Sequence, residues 1–171
     1  MARPAQERLM SVFIVYDSTY GNTEAIAQAM AAELAGTHSV RVASVTEAGT
    51  TLRGVTALIV GSPTHAFRPT PAILDFLNAL DGTALSGLAA AAFDTRIAPV
   101  EIKPAVLRWV LDVAGYAADV IHRKLEARGC RMATQPAGFC VTGTEGPLVE
   151  GELERAKGWA RNVALAAAQN L

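Results

Sequence analysis

Apolar and polar positions along this chain switch between two spacings, and the switches mark its elements. Ser11-Val12-Phe13-Ile14-Val15-Tyr16 is a short, almost wholly apolar run, as a strand buried on both faces requires. An Ala-rich stretch from about Thr23 to Leu34 then reads as a helix. Ser39 to Val45 alternates polar and apolar, the pattern of a partly exposed edge strand, and Thr46 to Gly54 is polar and loop-like. Ala57-Leu58-Ile59-Val60 is a third strand ending at Gly61. Thr70 to Leu80 is a helix with Pro71 in its first turn. Leu88 to Phe93 is a fourth strand ending at Asp94, and Lys103 to Arg128 is helical with a break near Gly115. Ala137 to Val141 is a fifth strand, and Gly151 to Asn170 a closing amphipathic helix. Strands alternating with helices predict an α/β fold: a three-layer, doubly wound, parallel five-stranded sheet with right-handed crossovers.

The turn after the first strand carries the most chemistry. Ser18-Thr19-Tyr20-Gly21-Asn22-Thr23 is rich in hydroxyls and stands at a helix N-terminus, where unpaired N–H groups and the dipole favour an anion. Gly21 lets the backbone come close. No Lys or Arg lies between Leu9 and Val40, so an anion here is held by neutral donors. A nucleoside-triphosphatase loop needs a Lys after its glycines, and Lys103, Lys124 and Lys157 follow no such pair. A dinucleotide fingerprint needs Gly-x-Gly, which occurs nowhere in the chain. Two readings stand for the turn: a cradle for one terminal phosphate, or a polar connection with Thr23 or Asn22 as N-cap.

From Ile14-Val15-Tyr16 through Ser18, Gly21 and Thr23 to Ala27, the chain resembles the signature of the flavodoxins, which bind flavin mononucleotide (FMN). Met30 departs from it, on a helix face where Met packs acceptably. The resemblance implies the strand order 2-1-3-4-5, with ligand beyond the C-terminal ends of strands 1 and 3. It implies FMN held by Ser18, Thr19, Tyr20, Gly21, Asn22 and Thr23 at its phosphate. The isoalloxazine would lie between the loops after strands 3 and 4.

The loop after strand 3 is Gly61-Ser62-Pro63-Thr64-His65-Ala66-Phe67-Arg68-Pro69-Thr70-Pro71; its Gly61-Ser62-Pro63-Thr64 is similar to what such proteins carry, and Ser62, Pro63, Thr64 and His65 are its candidate flavin contacts. Phe67 reads as an anchor; His65 reads equally as a flavin neighbour or an exposed loop residue. After strand 4 come Asp94, Thr95 and Arg96, also candidate contacts. Flavodoxins usually place an aromatic here to stack on the ring; this chain has none before Trp109. Arg96 reads as the substitute, able to stack on a ring or donate to an oxygen, with a surface arginine as the alternative. The loop after strand 5, with Glu145, reads as mainly structural. Ala98 to Ala114 lengthens the fourth crossover, with Val106, Trp109, Val110 and Val113 on one apolar face: an extra packed helix, a dimer contact or a cover for the flavin.

Composition narrows the function. The chain has 171 residues, 51% hydrophobic and 6% aromatic, which suits one domain of helices on a sheet. Residues 1–10 read as a disordered lead and 11–171 as the domain. A formal charge of −1 lacks the basic footprint of a nucleic-acid binder. It also lacks the acidic surface of many flavodoxins. No apolar run is long enough to span a membrane, and Met1 to Arg8 has no apolar signal core, so the cytoplasm is the default. Cys130 and Cys140 read first as reduced, packed thiols. The expected role is an electron carrier using redox partner proteins or a small quinone-like acceptor, with a homodimer as one arrangement. The rivals are an FMN-dependent NAD(P)H or quinone reductase, a flavodoxin-type protoporphyrinogen oxidase, or a flavin-free structural protein. A phosphorylated receiver domain is set aside, because Gly61-Ser62 and Thr142-Gly143 stand where its Asp and Lys belong.

Overall fold

A computed structural model describes residues 9–98, 106, 115–169 and 171. The expected lead up to Arg8, most of the 98–114 segment with Trp109, and Asn170 lie outside the described residues. The elements are β1 (Ser11–Tyr16), α1 (Asn22–Leu34), β2 (Ser39–Ser44), β3 (Ala57–Pro63), α2 (Pro71–Ala79), α3 (Gly82–Leu85), β4 (Ala89–Ile97), α4 (Ala117–Ala127), β5 (Arg131–Met132), β6 (Ala137–Val141) and α5 (Glu152–Ala168).

All strand pairs are parallel, in the order β2-β1-β3-β4 with β5 and β6 both on the free side of β4. The expected 2-1-3-4-5 order therefore holds, with its fifth place split in two. The break has a local cause. Residues 133–136 on this side oppose only Ala91 and Ala92 of β4, so the ladder cannot continue in register. Pro136 lies in that gap and has no N–H to donate. The two-residue β5 was not visible in the hydrophobic pattern, being too short to show a period.

Period-two alternation sorts the core onto two faces. Val12, Ile14, Ile59, Ala91 and Phe93 point to one face, packed with Ile26, Met30, Ala160 and Val163 of α1 and α5. Phe13, Val15, Leu58, Val60, Ala90 and Ala92 point to the other, with Ile73, Leu77, Ile121 and Leu125 of α2 and α4. Met30 is fully buried in the first cluster, so the sulfur-bearing side chain fits that face. Phe93 explains Gly61: the two are register partners, and a Cβ at Gly61 would fall 2.0 Å from the Phe93 ring. That ring packs edge-on with Phe139 and Trp159, at 6.1 and 6.2 Å between centroids.

Helix ends are closed as the sequence implies in one case and not in another. Thr70 caps α2 through its hydroxyl, with Pro71 in the first turn. The carbonyls of Leu77 and Leu80 at the other end of α2 accept from the Arg128 fork. At α1 neither Asn22 nor Thr23 is the N-cap. Gly21 holds that position in the left-handed region, φ 90°, where a side chain would be strained. Both cysteines are free, and burial pushes the Cys130 thiol up to about 11, so it is packed and unreactive at neutral pH. No described helix is long and apolar enough to cross a membrane.

Candidate functional site

The C-terminal ends of β1, β3 and β4 open into a cleft of about 370 Å³. That size is within the range of small-ligand sites. One end of it is the β1–α1 turn, through Ser18, Thr19, Tyr20, Asn22 and Thr23. Ser18 organises the turn: its Oγ accepts from the N–H groups of Gly21 at 3.1 Å and Glu24 at 3.3 Å. A hydroxyl has two acceptor sites and one proton. With both acceptor sites filled, Ser18 has only its proton left to offer. Thr23 and Thr95 are both buried, and their hydroxyls meet at 2.8 Å. One proton of that pair is used between them and the other remains. The N–H groups of Thr19, Tyr20, Asn22 and Thr23 have no protein acceptor among the described residues. Several convergent neutral donors are therefore unspent at one helix N-terminus, the arrangement an anionic oxygen cluster requires.

Asn22 also reaches across the cleft. Its Nδ2 donates to the Glu145 carbonyl at 3.0 Å, and Gly146 lies so close that a Cβ there would fall 2.7 Å from Asn22. The loop after β6 thus closes one side, and Thr144 and Val141 line the site. Thr144 was missed in the sequence; its place three residues past the end of the last strand was the available signal. Glu145 contributes its backbone carbonyl.

The loop after β3 supplies Pro63, Thr64 and His65 to the lining, with Ala66 beside them. His65 and Arg68 exchange both backbone hydrogen bonds around Ala66 (φ 46°) and Phe67 (φ 68°). Two non-glycine residues in the left-handed region store strain of about 1–3 kcal/mol each at the edge of the cleft. His65 is exposed and Phe67 half-buried. Ser62 takes no part in the lining. It is fully buried, its Oγ donating to the Pro63 carbonyl and accepting from Thr70 N–H, which shapes the loop from behind.

At β4 the sequence reading needs correction. The strand does not end at Asp94 but runs on to Ile97, because β6 pairs with it from Phe93 onward. Thr95, Arg96 and Ile97 line the cleft; Asp94 does not. Asp94 is fully buried and grips Arg96: Nε to Oδ1 at 2.6 Å and Nη2 to Oδ2 at 2.7 Å. The Ala118 N–H donates to the same Oδ2 at 2.8 Å. Burial raises the Asp94 carboxyl above its ordinary value, against the pull of Arg96 and Ala118. One face of the guanidinium lies 3.6 Å from the centre of the Tyr116 ring. Gly138 makes room for it, since a Cβ there would fall 2.1 Å from Nε. Arg96 is therefore a clamped donor, not a free platform. The α4 N-terminus is tied in as well, its Ala117 N–H donating to Thr64 Oγ1 at 3.1 Å. No group of three or more His, Cys, Asp and Glu among the described residues is placed to hold a metal.

The model of the flavodoxin domain family matches residues 13–103, more than half of the chain. The chain belongs to that family. No curated protein matches this flavodoxin-domain sequence. Among solved structures, a flavodoxin from the domain Archaea matches with a TM-score of 0.71 at 21% identity, over 92% of this chain and 99% of that one. Flavodoxin 2 from Bacillus cereus matches with a TM-score of 0.68 at 22% identity, over 91% and 98%. Rubredoxin oxygen:oxidoreductase from Desulfovibrio gigas matches with a TM-score of 0.71 at 20% identity, over 94% of this chain and 37% of that larger one. At these identities the shared feature is the fold.

Proposed function

We propose that this flavodoxin-domain protein binds FMN noncovalently and carries electrons between redox partners. The observation that carries the reading is the set of unspent neutral donors at the β1–α1 turn, at one end of a cleft bounded by the loops after β3 and β6. Ser18, the Thr23–Thr95 hydroxyl pair and the N–H groups of Thr19, Tyr20, Asn22 and Thr23 would take the phosphate. Pro63, Thr64, Arg96, Ile97 and Val141 would border the ring. The flavin supplies the redox chemistry when bound, and the protein supplies orientation, solvent access and local charge.

Addition of FMN followed by desalting tests the reading. Flavin absorption bands that stay with the protein support it; bands lost completely overturn it. Riboflavin, which lacks the phosphate, should bind far more weakly, because the turn donors then face nothing. Steady-state oxidation of NAD(P)H with a quinone then separates carrier from reductase, a carrier giving no turnover above free FMN.

A further inference from the structure

Arg96 is the one permanently charged side chain in the cleft lining among the described residues. Its surroundings determine what it can offer. Nε and one Nη2 hydrogen are spent on Asp94. One face is covered by Tyr116. The bare Cα of Gly138 sits against it. Nη1 makes no hydrogen bond among the described residues, so the far edge of the fork is what remains for a ligand. Directly behind the cation, Asp94 is fully buried and bidentate. A carboxylate in van der Waals contact, with little water between, cancels most of a cation's field at a ligand several ångströms further out.

We propose that Asp94 is a positioning residue for the cleft: it fixes the Nη1 edge of Arg96 as a directional donor and masks its charge, so that the site favours a neutral carbonyl oxygen over an anionic one. This rests on the FMN reading above; the oxygen in question is one on the flavin ring. The pair thereby supplies a hydrogen bond without the preference for reduced, anionic flavin that a bare arginine brings.

The test uses three proteins loaded with FMN: wild type, Asp94→Asn, and the double variant Asp94→Asn/Arg96→Gln. Affinity is read by titration and the two-electron potential by spectroelectrochemistry. Asp94→Asn leaves a net positive charge, so it should favour reduced over oxidised FMN by about tenfold, a rise of about 30 mV for a two-electron couple. The double variant removes the pair as a unit. Its preference for reduced over oxidised FMN should stay within about threefold of wild type, while FMN affinity falls about tenfold through loss of the Nη1 donor.

Three results overturn the proposal: Asp94→Asn holding FMN at the wild-type potential, the double variant falling in potential by the equivalent of tenfold, or the double variant binding FMN as wild type does. If Asp94→Asn fails to fold, the two readouts of the double variant decide alone, because it buries no unpaired charge. If the wild type retains no FMN, the cofactor reading falls and this inference with it; FMN retained with the wrong potentials removes this inference only.

Discussion

At the β1–α1 end of the cleft the donors are neutral and mostly backbone; at the β4 end the main donor is a guanidinium with a carboxylate behind it. The first end gets its positive character from peptide dipoles that the helix aligns in any case. It needs one hydroxyl, Ser18, to order the turn, and one glycine, Gly21, to take φ 90°. The second end concentrates its polarity in a buried ion pair. That pair depends on an aromatic neighbour, a glycine on the adjacent strand and a helix N–H from Ala118. Disturbing one peptide donor leaves the others in place. Disturbing one member of an ion pair exposes the whole desolvation cost of the other.

The sharpest way to break this comparison is Gly138→Ala. The added methyl would fall 2.1 Å from Arg96 Nε, so the fork must leave Asp94 or the β4–β6 ladder must open. Either outcome should cost about 3 kcal/mol of stability, measured by denaturant unfolding. Gly143→Ala, in the loop after β6, is the contrast: its Cβ would meet nothing nearer than 3.8 Å, and stability should change by less than about 0.5 kcal/mol. Equal effects at the two glycines would mean that the ion pair is not held as described.

At the other end, Ser18→Ala should weaken FMN by roughly ten- to a hundredfold, on the order of 1.5–3 kcal/mol, read by fluorescence titration of the apoprotein. It removes the hydroxyl proton that the FMN reading assigns to the phosphate and frees the Gly21 and Glu24 N–H groups. The fold should hold, because Ser18 is only half-buried and the remaining turn donors stay. Riboflavin binding should be nearly indifferent to the change. A parallel loss of riboflavin would place Ser18 away from the phosphate.

The two ends also differ in how well the sequence reveals them. The β1–α1 turn is contiguous: strand, hydroxyls, glycine and helix follow one another over a dozen residues, and each keeps its meaning without tertiary context. The two core faces are legible for the same reason, since alternation in β1, β3 and β4 sorts them. The β4 end is assembled from Asp94, Arg96, Tyr116, Ala118 and Gly138, brought together by crossovers. Read alone, Phe93-Asp94-Thr95-Arg96 looks like a strand running into a polar loop, because a buried charge looks the same as a solvated one in sequence. Pairing with β3 on one side, as far as Thr95, and with β6 on the other keeps these residues in the sheet. The split fifth strand was hidden for a related reason: two residues, Arg131 and Met132, pair with β4 through register set elsewhere.

A smaller effect should follow pH at the outer wall of the β4 end. Glu152 is buried at the start of α5, and its Oε2 accepts the Cys140 N–H at 2.6 Å. Cys140 is the register partner of Arg96. The Arg155 fork binds Glu152 at 2.6 and 2.8 Å and holds its carboxyl below the ordinary value, with the Cys140 N–H assisting and burial opposing. A carboxyl depressed in the folded state stabilises the protein above its unfolded pKa, near 4.3, and loses that contribution as pH falls through the folded value. Arg155 is about half exposed at 49%, so solvent screening limits the gain to about 1 kcal/mol. Wild type should exceed Glu152→Gln by about that amount at pH 6, and the difference should shrink as pH falls below 4. A gap constant from pH 6 to pH 3 would assign the loss to packing rather than charge.

The smallest expected effect concerns ligand length. FAD carries the same ring and first phosphate as FMN, then a second phosphate and adenosine. In the cleft, Asn22 joins the Glu145 carbonyl, and Gly146 packs against Asn22, which closes one side of the phosphate end. On the other side Thr19, Tyr20 and Gly21 are exposed to solvent. An adenylate leaving by that side meets no permanently charged group of the lining and no glycine-rich turn of the dinucleotide type. Among the described residues of the lining, the aromatic surface on that side is the half-exposed Tyr20 ring, 50% accessible, and stacking there would add about 1 kcal/mol at most. Replacing the terminal phosphate dianion by a diester costs part of the charge that the turn donors attract, which acts in the opposite direction. FAD and FMN should therefore bind within about fivefold of each other in competition titrations, and Tyr20→Ala should move FAD against FMN by less than that. FAD tighter by a hundredfold would require a second nucleotide site that the lining does not supply.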